Sequence, residues 1–390
     1  MEERDLVALS TVSSDFQHHA EAVLYAVVNL THSSCHWNRV ISWCRVISST
    51  PRKAKSVRAL KFPSNSKDLP PSLAGSLDEI DEIFRAAFAS ISNLRHLFFS
   101  AIDNRFAPTV KLSTLSDCRF RLSSLSDETT ALLGPDMELF LSTQPDIVFW
   151  SPTQNFLDSC SSPLPEMALP RLRTLFIPDA TKLSLVEGRP VEYLFLSTRG
   201  SIQSSEHLAG LRNISETLHT LYYVNFSVKL SDTDLISCLA KNAPGIVSLT
   251  IACYHSRRSV PREEQEKLVD AAASLPRLKT LVLSAPLEVL SDSPPAEPDS
   301  EDPAQRSIEW IEVLAGPKLN RRQCLRVAGA FMRACRSLTR LSVPAGAQGG
   351  IVTFVRSDTN SDRVVLDGSY NLEGPGWWKA YNIREVRGGS

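Results

Sequence analysis

The strongest constraint on this chain is a short pattern, φxxφxφ with φ an apolar residue, that recurs along most of its length. It reads LRHLFF from Leu94, LRTLFI from Leu172, VEYLFL from Val191, LHTLYY from Leu218, IVSLTI from Ile246, LKTLVL from Leu278, IEWIEV from Ile308 and LTRLSV from Leu338. From Leu172 onward successive starts lie 19, 27, 28, 32, 30 and 30 residues apart, room for one strand, one turn and one helix per unit. The fourth and sixth positions stay apolar while the residues between them vary, the period-2 mark of a strand with one buried face.

Helical segments precede several copies. Ser76-Leu-Asp-Glu79 is a capping box, and Leu77, Ile80, Phe84, Phe88 and Ile91 follow at helical spacing. Ser231 to Asp234 opens a second helix carrying Leu235, Ile236 and Leu239, which Pro244-Gly245 ends. Pro261, with Glu263 and Glu264 behind it, starts a third that carries Leu268, Val269 and Ala272. A fourth runs from about Asn320 to Arg336 with Leu325, Ala328, Phe331, Met332 and Cys335 inward.

Strand-turn-helix units that each bury a neighbour's apolar side stack into a solenoid, so the expected fold class is α/β. The LxxLxL register resembles the leucine-rich repeat. The Asn or Cys of that family, three residues after the last apolar position, is replaced by Ile102, Ala180, Arg199 and Phe226, so the solenoid is expected to be irregular on its helical side. Between Phe106 and Pro165 the pattern fades, with LSTLSDCRF from Leu112 and DIVFWSP from Asp146 as degenerate units. Residues 291–305, SDSPPAEPDSEDPAQ, join prolines to five carboxylates and read as an acidic disordered loop. Residues 357–390, with VVLDGSY and Trp377-Trp378, read as a cap on the last repeat.

Ahead of the repeats, DLVALSTVSSDFQHHAEAVLYAVVNL predicts a helical hairpin: Leu6, Leu9 and Val12 share one face, and a second helix starts at Phe16 behind Ser13 or Ser14 and closes at Leu24 and Tyr25. This LxxLxxVSxxF stretch resembles the second half of an F-box, and the continuation from Arg39 to Pro63 resembles F-box proteins of fungal type. The Leu-Pro turn and first helix of that motif are not in the sequence. The resemblance implies that Leu6, Leu9, Val12, Phe16, Leu24 and Tyr25 dock a Skp-type adaptor of a cullin-based ubiquitin ligase. Apolar residues at this spacing also suit packing against the first repeats. The resulting organisation is a partial F-box-like module over 1–30, connecting helices and a first repeat over 31–93, repeats over 94–356, and the cap or tail.

Composition narrows function chiefly by exclusion. With 42 Lys plus Arg against 43 Asp plus Glu, the net charge of −1 builds in no general attraction to nucleic acid or an anionic membrane. The amino terminus has no secretory h-region and no apolar run approaches the roughly 18 residues of a membrane span, so a cytoplasmic or nuclear location is expected. Eight cysteines without CxxC spacing read as reduced thiols. His32, Cys35, His36 and Cys44 match no standard zinc spacing, and hydrolase, metallopeptidase and nucleotide-loop motifs are missing from the sequence. No enzyme activity, metal or cofactor is expected.

What the sequence offers instead is a binding surface. In φxxφxφ the third and fifth positions face away from the buried fourth and sixth, which turns Phe98, Phe176, Phe195 and Tyr222 outward at fifth positions and Tyr193 and Trp310 at third. Outward aromatics anchor protein interfaces unless another part of the chain folds over them. On the fourth helix Arg322 and Arg326 lie toward one face with Arg333 and Arg336, suited to an acidic or phosphorylated segment. The expected function is target recognition for a Skp/cullin/F-box-type ligase. The alternative is a repeat scaffold without the ligase connection.

Overall fold

The computed structural model describes residues 7–8, 11–31, 37–63, 77–100, 115, 118–127, 135–160, 163–198, 205–225, 234–253, 262–283, 321–345, 350–356 and 364–371. The chain divides into two compact units, Met1–Ile177 with Lys182–Val191, and Pro178–Thr181 with Glu192–Ser390.

In the first unit six strands run parallel, each paired with the next: β1 (Val27–Asn29), β2 (Ala59–Pro63), β3 (His96–Ser100), β4 (Ser124–Asp127), β5 (Phe149–Ser151) and β6 (Thr174–Ile177). One row of side chains, Val28, Leu60, Leu97, Leu125, Trp150 and Leu175, passes in register through all six. From Leu60 onward that row is buried, as the fourth position of the pattern requires. The helices are α1 (Ser14–Leu24), α2 (Trp37–Ser49), α3 (Pro51–Ser56), α4 (Leu77–Ser90), α5 (Pro135–Ser142) and α6 (Gln154–Ser159), and a 3₁₀ helix over Ala180–Val186 follows β6. Helix α4 buries Ile80, Phe84 and Phe88, with Ile91 just beyond it, on the side its spacing marks as apolar. Phe84 and Phe88 meet Phe62 of β2 at ring-centroid distances of 5.0 and 5.5 Å.

The ladder therefore extends back from Leu94 through two strands. Val57-Arg-Ala-Leu60-Lys-Phe62 is a full copy of the pattern, with its three apolar residues at zero exposure. In the faded region the described strand is Ser124–Asp127, entered from Leu122; most of the stretch from Leu112 is outside the described residues, and Leu115 and Cys118 to Phe120 are in no strand. Asp127 at the sixth position breaks the apolar signal there, and Leu112 itself lies outside the described residues. Asp146 to Pro152 does hold a unit, β5, with Ile147 and Trp150 buried.

In the second unit β7 (Tyr193–Thr198), β8 (Thr220–Asn225), β9 (Ser248–Cys253), β10 (Thr280–Leu283) and β11 (Arg340–Ala345) run parallel in chain order. Their intervening segments are a 3₁₀ helix over Ser205–Ile214, α7 (Asp234–Asn242), α8 (Arg262–Ala273) and α9 (Arg321–Ala334). The segments between these strands are thus α-helical in some repeats and 3₁₀ in others. β10 pairs directly with β11, Leu281 opposite Leu341; the copy at Ile308 lies outside the described residues. A hairpin, β12 (Gly350–Arg356) and β13 (Val364–Asn371), adds antiparallel to β11. Arg356 donates to the carbonyls of Met332, Leu338 and Cys335, tying this hairpin to the end of α9. VVLDGSY thus lies one strand beyond the rung that covers β11, and Trp377-Trp378 and the acidic segment 291–305 fall outside the described residues.

Candidate functional site

Two surfaces carry the residues singled out in the sequence. The first is α1. Ser13 has extended backbone and its Oγ accepts from Phe16 N at 3.3 Å, satisfying one of the free amides of the first turn, so the helix begins where the sequence places it. The side toward the repeats buries Ala20 and half-buries Leu24 and Tyr25. There Glu21 pairs with Arg52 and with Lys53 at 3.6 Å, and the Lys53 ammonium sits 5.1 Å above the Tyr25 ring. Burial raises the Glu21 pKa, but the hydrogen bonds from Arg52 and Gln17 and the charges of Lys53 and Arg52 outweigh it and hold the carboxyl below its ordinary range.

The face of α1 beside it is apolar and exposed. Phe16 is 53% accessible, Val23, two turns later, 56%, Val12 just ahead of the cap 67%, and Val27 just after the helix 64%. Packing against the first repeats was open to all of the predicted docking residues; the structure uses Leu24 and Tyr25 that way and leaves Val12 and Phe16 facing solvent. Leu6 and Leu9 lie outside the described residues. Val23 and Val27 extend the same stripe and were missed, although their distance of seven and eleven residues from Phe16 was a readable helical-face signal.

The second surface is the outward rows of the strand ladders. In the first unit the fifth-position row reads Asn29, Lys61, Phe98, Ser126 and Ser151 in register. Phe98, like Phe176 of β6, is half-buried. Between them Ser124, Ser126 and Ser151 are nearly inaccessible, and Ser124 Oγ lies 3.0 Å from His96 Nδ1 on the neighbouring strand. Burial, and then the charge of Arg95, hold the His96 pKa below its usual value.

In the second unit Tyr193 is 38% exposed and is the most open of the described aromatics on the strand ladders. Phe195 corrects the expectation of an open ladder: it occupies the outward position but is only 3% exposed. Its ring stacks on Tyr222 at 4.4 Å with planes 4° apart, because rungs about 4.8 Å apart bring flat side chains face to face and hide them from water. Thr250 and Ser342 further along the row are likewise buried. Arg322 and Arg326 belong to α9, and Trp310 lies outside the described residues. Cys44 is fully buried inside α2, where desolvation pushes its thiol well above the ordinary range and keeps it protonated. His32, Cys35 and His36 lie outside the described residues. Among the described residues no helix is long and apolar enough to cross a membrane.

No protein-family model matches the sequence, and no curated protein matches it. Among solved structures the chain is similar to the leucine-rich repeat-containing protein LegL7 from Legionella pneumophila, at 16% identity and a TM-score of 0.43, over 77% of this chain and 86% of that one. The repeat architecture itself is carried by the pairing register of the strands and the burial of the fourth and sixth positions.

Proposed function

We propose that this chain is a protein-interaction scaffold of leucine-rich-repeat type, and that its amino-terminal module couples it to a Skp-type adaptor as the target-recognition subunit of a cullin-based ubiquitin ligase. The observation that supports the coupling is the outward placement of Val12 and Phe16. Large apolar side chains left in water on a capped helix are costly unless a partner covers them, and these two occupy positions that the F-box resemblance assigns to the adaptor. The repeats would then hold the target, with Tyr193 and the half-buried Tyr222 as the aromatic part of that surface. In this reading the protein performs no chemistry of its own.

The test is capture of a recombinant Skp adaptor by the purified chain, beside Phe16→Asp and Val12→Asp. Because both side chains are exposed, the variants should keep the wild-type melting temperature while losing roughly tenfold or more in affinity, as central contacts of an interface do. Absence of saturable binding by the wild-type chain would remove the ligase connection and leave the scaffold alone.

A further inference from the structure

The residues that bracket the first apolar position of each unit lie along the amino-terminal edge of the strands. In the first unit they include Arg58 ahead of β2, Arg95 ahead of β3, Arg121 ahead of β4, and Arg171 and Arg173 ahead of β6. The backbone sets Arg58 beside Arg95, and Arg121 two residues ahead of the Ser123 that comes next: Arg58 O accepts from the amides of Arg95 and His96, and Arg95 O from those of Ser123 and Ser124. All five side chains are exposed. The one carboxylate at these positions, Asp146, is held by Arg171 at 3.0 Å. Among the described residues no carboxylate lies within ion-pair distance of Arg58, Arg95 or Arg121.

Two of these side chains are also fixed. Arg95 Nη1 donates to Arg121 O at 3.1 Å and Arg121 Nη1 to Thr143 O at 2.5 Å, each reaching one unit along the ladder. A guanidinium has five N–H donors, so each keeps most of its fork free and already oriented. Like charges set about one strand spacing apart repel, and the repulsion is relieved when an anion sits across them. Lys61 and His96, on the outward rows of β2 and β3, add donors beside the half-buried Phe98.

We infer that this edge of the first unit binds an acidic segment of a partner protein, its carboxylates on Arg58, Arg95 and Arg121 and an apolar side chain against Phe98. Guanidinium forks match carboxylates in geometry. A peptide is favoured over nucleic acid because the chain as a whole carries a net charge of −1 and supplies no broad field for a polyanion. The inference rests on the scaffold reading, and not on the adaptor.

Fluorescence anisotropy on the full chain tests it, with a labelled peptide of alternating glutamate and glycine around one central leucine. Saturable binding is expected, weakening as salt rises and falling at least about tenfold in the Arg58→Glu, Arg95→Glu double variant. If circular dichroism shows that variant misfolded, Arg58→Gln with Arg95→Gln removes the charge without reversing it and must show the same loss. No saturable binding at low salt, unchanged binding in the folded variants, or tighter binding of oligothymidylate of equal charge would each overturn the inference. Adaptor capture through α1 is read on the same preparations: capture without peptide binding sinks this inference alone, and peptide binding without capture sinks only the ligase reading.

Discussion

Gln144 joins two repeats through a single side chain: its Oε1 accepts from Leu122 N at 2.9 Å and its Nε2 donates to Phe120 O at 3.3 Å, at 2% exposure. Arg189 plays a similar part, donating to the carbonyls of Leu164, Pro165 and Ala168 in the turn before β6 and to that of the nearby Glu187. Neither residue is marked in the sequence, because most of the partners are backbone atoms twenty or more residues away. Gln144→Leu should keep the volume but strand a buried amide and a carbonyl, lowering stability by about 2 kcal/mol in urea denaturation. The outward aromatics separate at this scale too. Phe195→Ala should cost about 3 kcal/mol or more, as a buried core truncation does, whereas Tyr193→Ala should stay within about 0.5 kcal/mol. Equal losses at both positions would show that the Phe195–Tyr222 stack is not a core contact. Phe195 was legible as an outward position from period 2 alone; that it is hidden from water depends on which ring the next strand sets beside it.

Among the elements, α1 was the most completely legible, since a Ser cap, its apolar spacing and its closure at Leu24 and Tyr25 are all local. How it is held was not. Its tie to α3 runs through Glu21, whose partners Arg52 and Lys53 lie some thirty residues on. Because the folded state holds the Glu21 pKa below the ordinary carboxylate value, the unfolded chain binds its proton first as the pH drops. The stabilisation is therefore present in full above the ordinary range and is lost as the pH falls through the lowered value. Glu21→Gln should melt below wild type at neutral pH, by an amount small for a partly exposed cluster, under about 1 kcal/mol. The gap should close in acid. A gap that persists unchanged would mean that shape, and not charge, holds α1. Strand β4 is the opposite case: Ser124, Ser126 and Asp127 carry no strand signal, and only pairing to Leu97 and Trp150 on either side of Leu125 defines it.

At the scale of the molecule, a ladder of parallel strands has to end somewhere, and an open end offers unpaired amides and carbonyls to any other chain. Here β12 covers the edge of β11 along six residue pairs, with Ser342 Oγ and Thr353 Oγ1 2.9 Å apart in the buried row. Truncation after Ala345 removes that hairpin and the Arg356 tie to α9, so the shortened chain should self-associate, seen as a concentration-dependent mass in size exclusion with light scattering. A monomer that melts like the full chain would show that the edge needs no cover. The proposed arginine edge also belongs to this scale, because it engages its partner through side chains that no single repeat supplies.

The sequence by itself determined the period, the identity of the buried rows and the helices that precede several strands. Those follow from hydrophobic spacing and caps, which act within a few residues and survive in the linear text. The seven copies that lie among the described residues all run into strands, with their fourth and sixth positions buried. The tertiary structure decided which degenerate segments join the ladder, that β10 passes directly to β11, that Phe195 is covered while Phe16 is not, and that arginines from separate repeats form one edge. Each depends on what stands one strand away. Strand pairing brings together residues that the chain separates by about thirty positions, so the charge, the stacking and the exposure at those places exist only once the register is set.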